Sequence, residues 1–78
     1  MTSKNSGLTK RIGLKIKMER MKRNLSQEQL AELADLNKNS IGAIERGESR
    51  ATLETINAIA QAFGMELTEL VDTKKVDL

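Results

Sequence analysis

Apolar residues recur at intervals of three and four positions along most of the chain, and this spacing predicts helices. The first such series consists of Leu8, Ile12 and Ile16. It indicates a helix from Leu8 to about Asn24, a residue that tolerates the left-handed conformation at a helix end. Arg20 continues the apolar line, so one position of this face carries a charge. Residues 1–7 are mostly polar and include serine, asparagine and glycine, and we expect them to form a flexible N-terminal arm.

Two short helices are predicted next, joined by a turn of about three residues. Ser26 and Gln29 have the spacing of a capping box, which marks the start of the second helix. Its predicted inner face comprises Leu30, Leu33 and Ala34. Asn37 is the expected cap of the third helix, and Gly47 its end. So tight a connection makes two helices meet steeply, as in a helix-turn-helix unit.

Two further helices complete the pattern. Thr52 is the expected cap of the fourth helix, which Gly64 ends, and the fifth spans Met65 through Val71. The residues predicted to point inward from the fourth helix are Leu53, Ile56, Ile59, Ala60 and Phe63. The sequence therefore predicts an all-α, compact five-helix bundle over residues 8–72 with a central helix-turn-helix, followed by a frayed tail over residues 73–78.

The composition argues against several functional classes. The chain contains neither cysteine nor histidine, which leaves no disulfide, zinc-thiolate site, thiol nucleophile or imidazole base. We therefore expect no enzyme, metal or cofactor, and a chain of 78 residues leaves little room for a domain that senses a small molecule. No apolar run reaches the roughly 18 residues of a membrane span, and the N-terminus lacks a signal-peptide core, so a cytoplasmic protein is expected.

Charge is divided unevenly between the two parts of the chain. Residues 1–25 carry eight Lys and Arg against one acidic residue, whereas residues 26–78 carry five against ten. A basic segment of this kind fits a polyanionic partner, although a solvated basic helix would look the same.

The third helix has one face suited to the DNA major groove. Burying Ile41 and Ile44 leaves an outer face formed by Lys38, Asn39, Gly42, Ala43 and Arg46, with Ser40 at its edge. Asn pairs with adenine, Lys reaches guanine, and Ser contacts either. The bare Gly42 would let the helix approach the groove closely.

These residues carry a resemblance to a known family. "LSQEQLA" followed by "SIGAIERG" at this spacing resembles the Xre/Cro/C1 helix-turn-helix domain of phage repressors, over roughly Ile12 to Val71. The chain is also similar to small stand-alone regulators, including restriction–modification controller proteins. The resemblance implies a cytoplasmic transcription regulator, of bacterial or phage origin, that binds a near-palindromic double-stranded DNA operator as a homodimer.

The resemblance also implies roles for individual residues. Those facing base edges would be Gln27, Lys38, Asn39, Ser40 and Ala43. Those near phosphates would be Ser26, Asn37, Arg46 and Arg50. Arg20 and Glu45 occupy the positions of a structural ion pair. Two positions depart from the family pattern: Asp35 replaces the usual turn glycine, and Glu19 stands where an apolar residue is common.

Three questions stay open at this level. The residues predicted for the dimer interface are Met65, Leu67, Leu70 and Val71, but each could instead complete the core of one protomer. Acidic side chains would suit a contact with RNA polymerase, so the sequence does not separate repression from activation. A protein-interaction module, such as an antitoxin or adaptor on the same fold, is the alternative function.

Overall fold

The computed structural model describes residues 2–74 and Val76, with side chains from Gly7 onward. Its helices are α1 (Thr2–Lys22), α2 (Gln27–Ala34), α3 (Lys38–Glu45), α4 (Leu53–Ala62) and α5 (Leu67–Val71). None of the described residues lies in a strand. The all-α, five-helix prediction is therefore confirmed, while α1 begins at Thr2 instead of the predicted Leu8.

The C-terminal ends of α1 to α4 lie where the sequence placed them, because residues suited to the left-handed conformation stand there, whereas α5 begins at Leu67 instead of the predicted Met65. Asn24 and Asp35 adopt the left-handed conformation at φ 56° and 57°, and Gly47 and Gly64 adopt it at 73° and 72°. The first two are among the non-glycine residues that tolerate this region. At the start of α2, the predicted capping box of Ser26 and Gln29 is present.

Each of the five helices contributes one fully buried large side chain to a single core. These side chains are Ile16, Leu30, Ile41, Ile59 and Leu70. Phe63, at the end of α4, is 6% exposed and packs in the same cluster. Helix α3 packs directly against α1 and α2, so these two helices position it within the shared core.

Three leucines assigned to apolar faces lie outside this core. Leu33 is 58% exposed and Leu53 is 71% exposed, although both were predicted to point inward. Leu8, which opens the predicted apolar line of α1, is 49% exposed. Leu33 and Leu53 lie near the ends of short helices, where three- or four-residue spacing indicates a face but not how far the neighbouring helix extends.

A polar cluster attaches α1 to the end of α4. Arg23 lies 4.7 Å above the Phe63 ring, and its Nη2 donates to the Phe63 carbonyl at 3.1 Å. Its Nη1 donates at 2.7 Å to Glu19 Oε1. This hydrogen bond is the main reason that the pKa of Glu19 is lowered, against the opposing effect of burial, with the charges of Lys22 and Arg23 adding to it. Glu19 is therefore partnered by charge where the family pattern favours apolar packing.

The final helix and the residues after it also contact α1. Lys15 Nζ donates to the carbonyls of Glu69 at 3.0 Å and Asp72 at 2.8 Å, which satisfies acceptors at the C-terminal end of α5. Val76 is 8% exposed and its amide donates to the Thr73 carbonyl at 3.1 Å. Val76 is thus buried within the tail predicted to fray over residues 73–78, of which 75, 77 and 78 lie outside the described residues, so fraying of the tail stays a prediction.

Candidate nucleic-acid interface

The turn between α2 and α3 sets the orientation of α3 relative to α2. Asp35 takes the left-handed conformation, and the next amide, that of Leu36, donates to the Ala31 carbonyl at 2.7 Å. Asn37 Oδ1 then accepts from the Asn39 amide at 2.7 Å and caps α3. The two-helix unit is therefore closed by backbone hydrogen bonds at the end of α2 and by a side-chain cap at the start of α3.

Burial of one side of α3 determines which residues face solvent. Ile41 is 0% exposed and Ile44 is 4% exposed. The N-terminal half of the helix presents Lys38, Asn39 and Ser40, all exposed, whereas Ala43 is half-buried. The exposed amide, ammonium and hydroxyl groups are the polar groups that the sequence assigned to base edges.

The C-terminal end of α3 is held by a buried charge. Glu45 Oε2 accepts from Arg20 Nε at 2.6 Å and its Oε1 accepts from Arg20 Nη2 at 3.1 Å, so the contact is bidentate. The side chain of Arg20 is 13% exposed and that of Glu45 is 2% exposed. Arg20 Nη1 also donates to the Leu25 carbonyl at 2.7 Å, which attaches the turn before α2 to the same guanidinium. The structure thus brings the predicted pair together and extends it to α2.

Gly13 is a determinant of this geometry that the sequence reasoning missed. A Cβ at Gly13 would lie 2.2 Å from the Ile44 carbonyl oxygen and 2.9 Å from that of Glu45. The backbones of α1 and α3 therefore approach each other more closely than any side chain permits. The glycine in the middle of a predicted helix was the available signal, because glycine there is unfavourable by roughly 1 kcal/mol relative to alanine.

Gly42 does not form the bare groove-facing surface that its position suggested. It is buried, and a Cβ there would lie 3.1 Å from Arg46 Nη1 and 3.5 Å from Gln27 Oε1. The side chains of Gln27 and Arg46 therefore lie over this glycine. Gln27 itself donates from Nε2 to Glu45 Oε1 at 3.1 Å, a hydrogen bond that the sequence did not predict.

The residues assigned to phosphates are all exposed. Ser26 and Asn37 are exposed, and each accepts a hydrogen bond from the first turn of its helix. Arg46 forms an exposed ion pair with Glu48, Nε to Oε1 at 3.0 Å, and Arg50 is exposed in the following loop. Serine and asparagine here have a structural role in capping, whatever else they contact.

The predicted dimer interface is only partly available to a second protomer. Leu70 is 0% exposed and belongs to the core of its own chain, so the structure removes it from the interface. Met65, Leu67 and Val71 are partly buried against that core and retain some exposure.

Within the described residues there is no helix long and apolar enough to cross a membrane, and no cluster of metal-ligating side chains.

Comparison with known proteins places this arrangement in a family. The helix-turn-helix family HTH_3 matches residues 16–70. The chain is 38% identical over 60 residues to the immunity repressor protein of Bacillus phage phi105, a match that covers 77% of this chain and 42% of the relative. It is 44% identical over 48 residues to the control protein C.SmaI of Serratia marcescens, covering 62% and 57%. The chain thus spans about half the length of these relatives.

A solved structure has the same architecture. The restriction–modification controller protein C.AhdI of Aeromonas hydrophila superposes with a TM-score of 0.77 at 34% identity, covering 82% of this chain and 96% of that one. The family prediction made from "LSQEQLA" and "SIGAIERG" is confirmed, because the matched segment includes both motifs. The chain belongs to the HTH_3 family of helix-turn-helix proteins.

Proposed function

We propose that this chain is a non-enzymatic transcription regulator that binds double-stranded DNA sequence-specifically, with α3 in the major groove. The observation that carries the proposal is the exposure of Lys38, Asn39 and Ser40 on a helix whose opposite face is buried. A helix that is held from behind and polar in front fits a groove that displays hydrogen-bond donors and acceptors. The repressor and control proteins that resemble this chain support the same function.

The remaining contacts would fall into two groups. Gln27 and Ala43 would join the three exposed residues at base edges, whereas Arg46 and Arg50 would approach phosphates, with Ser26 and Asn37 at the two helix starts. Phosphate contacts supply affinity that falls with salt, and base contacts supply the choice of site. Arg46 is already paired with Glu48, so binding would exchange that carboxylate for a phosphate.

We further propose that two copies bind a near-palindromic operator. Dimers of helix-turn-helix proteins place their reading helices about 34 Å apart, one turn of DNA. The exposed parts of Met65, Leu67 and Val71 are the candidate contact surface between copies. Leu67→Glu should shift the mass measured by sedimentation from dimer to monomer, and an unchanged mass would place the interface elsewhere.

The decisive experiment is selection of duplexes from a random pool, followed by titration of the selected site against salt. We expect a footprint with two half-sites and a linear fall of log affinity with log salt concentration. Failure to prefer any selected duplex over random DNA at low salt would contradict sequence-specific DNA binding and favour a protein-interaction module.

Asn39→Ala tests the reading surface directly. We expect a loss of about 1–3 kcal/mol that disappears when one base pair per half-site is changed, because an asparagine reads one base. Gln61→Ala, which removes an exposed amide from α4, is the matched control and should bind like the wild type. An equal loss on every duplex would show that Asn39 contacts only the DNA backbone.

A further inference from the structure

The side-chain amide of Gln27 is held in one orientation by a buried carboxylate. Gln27 Nε2 donates to Glu45 Oε1 at 3.1 Å, and the Glu45 side chain is only 2% exposed. The bidentate contact with Arg20 fixes that carboxylate in turn. The position of the Gln27 side chain, on the first turn of α2, is therefore set by Glu45 of α3 and Arg20 of α1.

The chemistry of the two groups decides which end of the amide faces the carboxylate. A carboxylate paired with arginine accepts hydrogen bonds and has none to donate, so the amide must turn its NH₂ group toward Glu45. Its Oε1 then lies on the other side of the planar group. Oε1 and Nε2 lie 3.5 Å and 3.8 Å from the position a Cβ would take at Gly42, so the amide rests across that bare backbone.

We propose that Glu45 is a positioning residue for Gln27, which thereby presents its carbonyl oxygen to an exocyclic amino group on a base edge. In the major groove these donors are N6 of adenine and N4 of cytosine. A phosphate oxygen only accepts, so the presented Oε1 has no partner on the DNA backbone. This inference rests on the proposed DNA binding, and it gives Gln27 a selective role at one base pair.

The orientation of the amide is tested on the free protein by NMR. One of the two side-chain amide protons of Gln27 should exchange with solvent more slowly than those of the exposed Gln61, and Glu45→Gln should remove the difference. Equal exchange at Gln27 and Gln61 in the wild type would overturn the positioning role, whether or not the protein binds DNA.

The role at the base edge is tested with a panel of duplexes that vary each base pair of the selected site. Gln27→Met keeps the length of the side chain and removes the amide. It should abolish a preference of about three- to tenfold, the value of one hydrogen bond, at a single base pair per half-site. Asn39→Ala should keep that preference. A uniform loss for Gln27→Met on all duplexes would indicate a phosphate contact and overturn the assignment.

Glu45→Gln and Arg20→Lys separate positioning from simple loss of scaffold. Glu45→Gln lets the neighbouring amide turn either way, so the preference at the Gln27 base pair should relax more than the preferences at the other base pairs. Arg20→Lys loosens the bidentate contact but keeps the acceptor for Gln27, so it should preserve that preference. Equal relaxation in both variants would contradict a specific role for Glu45. Absence of any base preference in the wild type would instead refute the proposed function, and the exchange measurement would still decide the orientation of Gln27.

Discussion

Helix α1 contacts the rest of the bundle through two different kinds of attachment. Toward α3 it offers Gly13, where backbones meet, and Arg20, whose pairing with Glu45 is largely hidden from water. Toward α4 and α5 the attachment is made by Lys15 and by Arg23, the residue that follows α1. These long side chains reach over an exposed or part-buried edge to carbonyl groups. Helix α3 is held at close range, whereas α4 and α5 are attached through the shared core and its rim.

The difference indicates where positional accuracy matters in this domain. Under the proposed DNA binding, α3 must lie at a defined distance and angle to the major groove, because each hydrogen bond to a base edge has a narrow length range. A glycine contact and a bidentate ion pair provide this. Flexible side chains at a surface edge can adjust by rotating, so the α4 and α5 attachment tolerates small shifts.

The largest expected effect is that of Arg20→Met. It leaves the Glu45 carboxylate buried without its partner, which should lower the free energy of unfolding by roughly 3–5 kcal/mol. Arg11→Met, at an exposed arginine of the same helix, is the control and should change little. Urea unfolding followed by circular dichroism gives both values. If Arg20→Met lowers the free energy of unfolding no more than Arg11→Met does, the pair of Arg20 and Glu45 does not hold α3.

Gly13→Ala should have the next largest effect. The added Cβ meets backbone carbonyl oxygens that cannot rotate away, so α1 and α3 must separate, at a cost of about 1–3 kcal/mol. Gly7→Ala makes the same exchange in the same helix where the Cβ finds only Arg11 Nη1 at 3.6 Å. It should leave stability unchanged or raise it by up to about 1 kcal/mol. Thermal unfolding of both variants measures this difference. Equal changes in stability for Gly13→Ala and Gly7→Ala would contradict the close backbone contact at Gly13.

Arg23→Met tests the other attachment. It removes the contact with the Phe63 ring and the ion pair with Glu19 while keeping an aliphatic side chain, and we expect a loss of about 1–2 kcal/mol. Because α3 is not involved, operator affinity of the folded protein should stay at the wild-type value. Lys17→Met, at an exposed position of α1, serves as control. A large fall in operator affinity would mean that the two attachments are coupled.

The smallest expected effect is that of Glu19 on the pH dependence of the free energy of unfolding. The folded-state pKa of Glu19 lies below its ordinary value of 4.5, chiefly because of the hydrogen bond from Arg23. The ionised form is thus favoured in the folded chain, and its contribution is present above pH 4.5 and lost as pH falls through the folded pKa. Glu19→Gln should make the free energy of unfolding less dependent on pH below 4.5. If the free energy of unfolding of Glu19→Gln depends on pH as steeply as that of the wild type, Glu19 does not cause this loss of stability in acid.

Much of the candidate site was predictable because it depends on local rules. Capping by Ser26 and Asn37 and the left-handed turn at Asp35 each require a residue type at a short spacing. The pairing of Arg20 with Glu45, by contrast, was inferred from a family resemblance, because the two positions are 25 residues apart and no local rule joins them.

Other features depended on how far each helix extends past its neighbours. Leu70 was assigned to a dimer surface and Leu53 to the core, and the structure reverses both positions: Leu70 is 0% exposed and Leu53 is 71% exposed. Periodicity identifies the apolar side of a helix but does not say whether another helix covers that side. Only the packing of α4 against α2 and α5, and of α5 against α1, decides this.

The sequence by itself determined the five helices, the C-terminal ends of the first four and the polar surface of α3, because hydrogen-bonding caps, left-handed residues and apolar spacing act within a few residues. The tertiary structure alone decided that Gly42 lies beneath Gln27 and Arg46, that Gly13 brings α1 against α3, and that Glu45 holds Gln27. These contacts join residues distant in sequence. They depend on how closely the helices approach each other, which the spacing of apolar residues along the chain does not specify.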